Sequence, residues 1–116
     1  MKYNTFEAFS AASTDEGFDE ILIREWQPNL ALDTHTHPFD VSALVVRGEF
    51  KLTVGDQVTM LRAGDPFRLA RDIPHAEHYG PEGATVWVAR GAKTPAYVDF
   101  CVRNLVQLPR VARQLH

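Results

Sequence analysis

The sequence predicts an all-β barrel or sandwich, and three observations carry that expectation. Short runs rich in Val, Leu, Phe and Thr recur between residues 20 and 90. Gly-Asp, Gly-Glu and Pro-containing turns cut these runs at the spacing of about eight to twelve residues that marks small sandwiches and barrels. No stretch in the same span offers a clean helical period of apolar residues. The chain has 116 residues, 45% of them apolar and 23% charged, which is the size and usage of one ordinary globular domain. We therefore expect a single domain over residues 1–116, with an N-terminal arm at 1–19, a barrel at about 20–90 and a C-terminal extension at 91–116.

Each element follows in order. Residues 1–19 gather Ser, Ala, Thr, Asp and Glu around Phe6, Phe9 and Phe18, which predicts a short helix or arm packed by its aromatics. From Glu20 the chain alternates Ile21, Ile23 and Glu25 with Leu22, Arg24 and Trp26, and Pro28-Asn29 ends this first strand as a turn. Ala43-Leu44-Val45-Val46 is expected to break at Gly48. Phe50–Val54 then meets Gln57–Leu61 across Gly55-Asp56, where a glycine at the first central position supplies the positive φ of a type II′ hairpin. Further breaks are expected at Ala63-Gly64-Asp65-Pro66, at Asp72-Ile73-Pro74 and at Gly80-Pro81-Glu82-Gly83, the last preceding the strand Thr85–Ala89. Beyond Gly91, Ala96–Val102 reads as one more strand. Leu105, Leu108, Val111, Ala112 and Leu115 fall at the intervals of a short terminal helix.

Composition narrows the function classes. A net charge of -3, with no Lys/Arg run, makes nucleic acid a poor partner. The single cysteine, Cys101, forms no internal disulfide, and Asn4 and Glu7 interrupt any apolar segment in MKYNTFEAFS, so a cytoplasmic protein is expected. The longest apolar stretch, Ala43–Val46, is far too short to span a bilayer. Neither Gly-x-Ser-x-Gly nor His-Glu-x-x-His occurs, and phosphate loops and dinucleotide fingerprints are missing too.

Chemistry concentrates on histidine. His35, His37, His75 and His78 all lie in the barrel region, and histidine is the commonest protein ligand of transition metals. Residues two apart on a strand share a face, so His35 and His37 in Asp33-Thr34-His35-Thr36-His37-Pro38 are expected to point the same way. His75 would come from a separate strand. His78 has the opposite parity to His75 and is expected at the surface or behind the site, whereas Glu77 and Tyr79 share the parity of His75.

The succession His-x-His-Pro, Gly48, Gly64-Asp65 and Pro74-His75 resembles the two sequence motifs of the cupin superfamily, over roughly residues 30–90. The resemblance implies a double-stranded β-helix (jelly-roll) barrel holding one divalent metal ion in its mouth, with His35, His37 and His75 as ligands and Fe, Zn, Ni or Mn as the candidate metals. Two departures stand out. Ala70 and Asp72 take positions where the family usually has proline and glycine, which predicts a different turn. Val41 stands seven residues before Gly48, where the family usually carries a ligand glutamate.

The simple reading is then a three-histidine site. Asp40 is adjacent but of outward parity unless a bulge beside Pro38 shifts the register, and Glu77 is the other carboxylate able to serve as ligand or base. Three neutral imidazoles leave the full charge of the ion in place, which favours an anionic ligand or hydroxide. The expected function is metal-dependent chemistry on a small anionic organic molecule. Oxygenase chemistry comes first and an isomerase or lyase next; the alternative is a non-catalytic small-molecule sensor or storage barrel, and a structural protein is third. Arg68 or Arg90, if inward, would clamp a carboxylate, and Phe39 and Trp87 would wall the pocket. Exchange of edge strands, as cupins often show, implies a homodimer.

Overall fold

A computed structural model describes residues 3–91 of the chain. The strand expected at Ala96–Val102 and the helix expected at Leu105–Leu115 lie outside the described residues. The element order is helix α1 (Phe6–Glu16) followed by strands β1 (Glu20–Trp26), β2 (Ala31–His35), β3 (Asp40–Val54), β4 (Gln57–Arg62), β5 (Pro66–Leu69) and β6 (His75–Gly91).

Helix α1 has a cap at each end. The Thr5 hydroxyl accepts from the Ala8 amide at 3.1 Å, and Gly17, at φ 110°, ends the helix. The Gly17 amide returns to the Thr14 carbonyl and the Phe18 amide to the Ser13 carbonyl, which is the Schellman arrangement that glycine makes accessible. Buried Phe9 and Phe18 then hold the helix to the barrel, and Phe6 and Phe9 pack on the ring of Trp87 at 5.8 and 5.9 Å.

All pairings are antiparallel, and β3 and β6 form the seam of the barrel. On the outer side of β6 lie β1, opposite Ala84–Arg90, and β2, opposite His75–His78. On the outer side of β3 lie β5, opposite Val41–Leu44, and β4, opposite Glu49–Val54. Each long strand thus carries one short neighbour on each half, an arrangement that folds the sheet over on itself. Val45, Phe50, Ala84 and Val86, none more than 2% exposed, occupy the interior of that fold, and Leu44, opposite Trp87, is buried on the other face.

The structure corrects two expected breaks. Gly48 does not end a strand; β3 runs through it, and β6 runs through Gly80–Gly83. The physical reason is that glycine here bends a strand without interrupting it. The β3·β6 register shifts between Val45 and Arg47 and again between Gly48 and Phe50. Gly48 has φ +77° and Gly83 φ +69°; a Cβ on Gly48 would stand 2.0 Å from the Gly83 carbonyl oxygen, and one on Gly83 would stand 2.2 Å from that of Trp26. Only glycine allows the strands so close. The Gly55-Asp56 hairpin is as expected: Gly55 alone of the two has positive φ, at 60°, and Val54 pairs with Gln57. Asp72, with φ 63°, adopts the left-handed conformation that a glycine would supply, and its amide donates to the His37 carbonyl at 2.8 Å.

Candidate metal centre

The inner face of one barrel end collects the polar side chains. β2 ends at His35, which stands directly opposite His75 across the β2·β6 ladder, after a register shift between Leu32 and His35. His37 lies just beyond the strand. Its ring stacks on Phe39 with centroids 4.9 Å apart and planes 9° from parallel. The three imidazole centroids are separated by 4.4 to 5.0 Å, and one ring nitrogen from each lies within 4.8 Å of the other two. Small rotations bring such a set onto one ion at the usual nitrogen distance of about 2.0–2.1 Å.

Protonation states favour ligation. Nδ1 of His35 is 2.7 Å from the Asp33 carbonyl and Nδ1 of His75 is 2.9 Å from the Ile73 carbonyl. A carbonyl only accepts, so each Nδ1 carries a proton, which leaves Nε2 of each ring as the nitrogen available to a metal ion. Burial is the main cause that holds His75 below the ordinary histidine value. Burial first, then the charges of His75 and His35, lower His37 to about 4. At neutral pH these two rings are uncharged ligands.

Glu77 completes the cluster. Its Oε2 lies 3.4 Å from Nε2 of His35 and 3.6 Å from Nε2 of His75, and its Oε1 accepts a hydrogen bond from the Tyr79 hydroxyl. The Nε2 atoms of His35 and His75 thus converge with a Glu77 oxygen beside His37, and three imidazole nitrogens with one carboxylate make a donor set that fits a divalent cation. Tyr79 keeps its proton: burial and the neighbouring Glu77 charge push its hydroxyl far above the ordinary phenol value.

Among the sequence-based expectations, the structure brings His35, His37, His75 and Glu77 together and leaves Asp40 out. Asp40 is fully buried, but its Oδ1 accepts from the Arg71 amide at 2.8 Å and the residue does not line the cavity. Val41 does line it, as strand alternation requires. Glu77 rather than Asp40 is thus the carboxylate beside the histidines. That revises the charge argument, because three imidazoles with one carboxylate leave about one net positive charge on a divalent ion. His78 is exposed.

The cavity walls also differ from expectation. Phe39 lines the cavity, but Trp87 does not. The bend at Gly80–Gly83 reverses strand parity: His75, Glu77 and Tyr79 face inward before it, and Val86, Val88 and Arg90 after it, so Trp87 turns outward beneath α1. Arg68 is bound outside the cavity by a bidentate pair with Glu16 of α1. Arg90 does line it, with its guanidinium 4.8 Å from the centre of the Phe39 ring and its Nε 2.5 Å from Glu20 Oε1. Sequence reasoning missed Leu22, Arg24 and Trp26 of β1, which also face the cavity. Their even numbering along one strand was the available signal.

No family model matches the chain, and neither does any curated protein. Solved structures do. A protein with a double-stranded β-helix domain from Klebsiella pneumoniae is 26% identical, with a TM-score of 0.52 over 66% of this chain and 68% of that one. An RmlC-like cupin from Shewanella frigidimarina is 22% identical, with a TM-score of 0.53 over 67% and 71%. The fold is that of the cupin superfamily. A DMSP lyase also shares the fold, with 19% identity and a TM-score of 0.58 over 66% of this chain, which spans 40% of that one. The residues that resemble the first cupin motif are His35, His37 and the strand-bending Gly48, and those that resemble the second are Gly64 and His75; Val41, where the first motif usually carries a glutamate, lines the cavity. No helix among the described residues is long and apolar enough to cross a membrane.

Proposed function

We propose that this cupin is a metal-dependent enzyme that moves a proton on a small anionic organic molecule, in the manner of a lyase or isomerase. The observation that carries this reading is the carboxylate of Glu77, set 3.4 and 3.6 Å from two histidine nitrogens and held on its other oxygen by Tyr79. His35, His37 and His75 would hold one divalent ion, with Fe, Zn, Ni or Mn suited to imidazole-rich sites. When bound, the ion would polarise a substrate oxygen and so acidify a neighbouring C–H bond. Glu77 is placed to accept that proton, and the Tyr79 hydroxyl fixes the direction in which it does so.

The aromatic and aliphatic walls, among them Phe39, Phe50, Leu52 and Val88, limit water and accept an apolar substrate body. Oxygenase chemistry, which the sequence puts first, would use the same histidines, but no further residue of the cavity speaks for it. The Glu77–Tyr79 pair shifts the weight to proton transfer. That a DMSP lyase shares the fold is compatible with this reading.

The test is proton exchange. Full-length protein loaded separately with Zn(II), Mn(II), Ni(II) and Fe(II) is incubated in deuterium oxide with a panel of small 2-oxo and 3-hydroxy acids and followed by proton NMR. Metal-dependent loss of a C–H signal, abolished in Glu77→Gln, is expected. Stoichiometric metal without exchange on any panel member would instead point to the non-catalytic binder, and dioxygen consumption by the Fe(II) form to an oxygenase.

A further inference from the structure

Among the described arginines, Arg24 differs from the rest. Arg47, Arg62, Arg68, Arg71 and Arg90 each have a guanidinium nitrogen no more than 3.9 Å from a carboxylate oxygen. No described carboxylate stands within ion-pairing distance of Arg24. The contrast is sharpest along a single ladder. Arg90 stands opposite Glu20 in the β1·β6 pairing and is bound to it, whereas Arg24 stands opposite Val86, itself 2% exposed.

Arg24 is only half-buried, and its side chain lines the same cavity as the histidines. A cation in an apolar wall is costly to keep without a partner, and the face of one tryptophan offsets that cost only in part. Here the guanidinium lies 4.6 Å from the centre of the Trp26 ring. That ring stacks on Tyr79 at 5.1 Å, and Tyr79 in turn holds Glu77 beside His35 and His75. One continuous wall therefore carries an unpaired guanidinium at one place and the candidate reaction centre at another.

We propose that Arg24 binds the carboxylate of the ligand through a bidentate guanidinium pair, and so selects small monocarboxylates with an apolar body whose other end lies against His35, His37 and His75. This rests on the reading of the cavity as a site for a small anionic molecule. The planar fork of arginine matches a carboxylate in a way that a lysine ammonium does not. Contact with the Trp26 ring restricts the guanidinium before binding, so less freedom remains to be lost. Arg24 is then a specificity residue that touches the ligand and leaves the metal to the histidines.

Benzoate and benzamide serve as probes, because they share an apolar body and differ in charge. Binding is measured by calorimetry on the full-length protein, both after chelator treatment and after reloading with Zn(II). We expect benzoate to bind the chelator-treated protein at least about tenfold more tightly than benzamide, as a hydrogen-bonded charge pair implies. Arg24→Gln should erase that preference and Arg24→Lys should retain part of it, with Zn(II) content stoichiometric in both. Equal binding of the two probes, an undiminished preference in Arg24→Gln, or no binding of either to chelator-treated wild type would overturn the assignment. Arg24→Lys keeps the charge and provides the test if Arg24→Gln does not fold. Failure of the proposed function reads differently, as loss of metal binding or of exchange while this preference persists.

Discussion

Strand β6 builds two clusters of rings, and they do opposite work. Before its bend, His75 and Tyr79 join His35, His37, Trp26 and Phe50 around an interior that contains a carboxylate. After the bend, Trp87 joins Phe6 and Phe9 in a patch between barrel and helix. The outer cluster is ordinary burial, and its benefit is stability. The inner cluster instead gathers three imidazoles and a carboxylate at one point, a donor set suited to a cation. The comparison teaches that ring density alone does not mark a functional site; converging metal-ligating atoms held by the rings do.

Five substitutions break or sharpen this contrast. The largest effect is expected in the inner cluster, where His35→Ala and His75→Ala should each abolish stoichiometric metal by elemental analysis. Retention of metal in both would refute the site. Next, Phe9→Ala should lower unfolding stability by about 3–5 kcal/mol in denaturant titrations, as loss of a buried aromatic does. Its folded fraction should still bind metal normally, and a parallel loss of metal would mean that the two clusters are coupled.

Val41→Glu should act in both directions. The added carboxylate faces the cavity and is expected to tighten divalent metal binding, while the chelator-treated variant melts at a lower temperature than wild type because a charge is buried without its partner. Unchanged affinity in competition with a chelator would show that position 41 does not reach the ion. Smallest is Tyr79→Phe, which removes the hydroxyl that holds Glu77 but keeps the ring on Trp26 and Phe50. Metal content should stay stoichiometric and any exchange activity should fall by about tenfold or more, the scale of one hydrogen bond to a charged group. An unchanged rate would make Tyr79 purely structural.

The residues that resemble cupin motifs, His35, His37, Gly48, Gly64 and His75, were legible because a short strand segment and a tight turn each encode their requirement locally. Strand β1 and the Gly55-Asp56 hairpin were legible for the same reason, since alternation and turn chemistry need only a few neighbouring residues. Parity counted from His75 also placed Glu77 and Tyr79 on the inner face correctly, because the irregularity opposite them puts its extra residue in β2 and leaves β6 in step.

Beyond the bends the same counting fails. Gly48 and Gly80–Gly83 looked like strand ends, yet the strands run on through them, and at Gly48 and Gly83 the neighbouring backbone approaches too closely for a Cβ. The shift they introduce moves Trp87 from the expected cavity wall to the seat of helix α1. Local sequence therefore determined the strands at Glu20–Trp26, Phe50–Val54 and Gln57–Leu61, where the hairpin turns, and which histidines share a face. Tertiary structure alone decided which residue faces which cavity after a bulge, that Glu77 and not Asp40 meets the histidines, and that Arg24 has no carboxylate opposite it. A bulge shifts register by contacts between strands distant in sequence, and no periodicity within either strand records where those contacts fall.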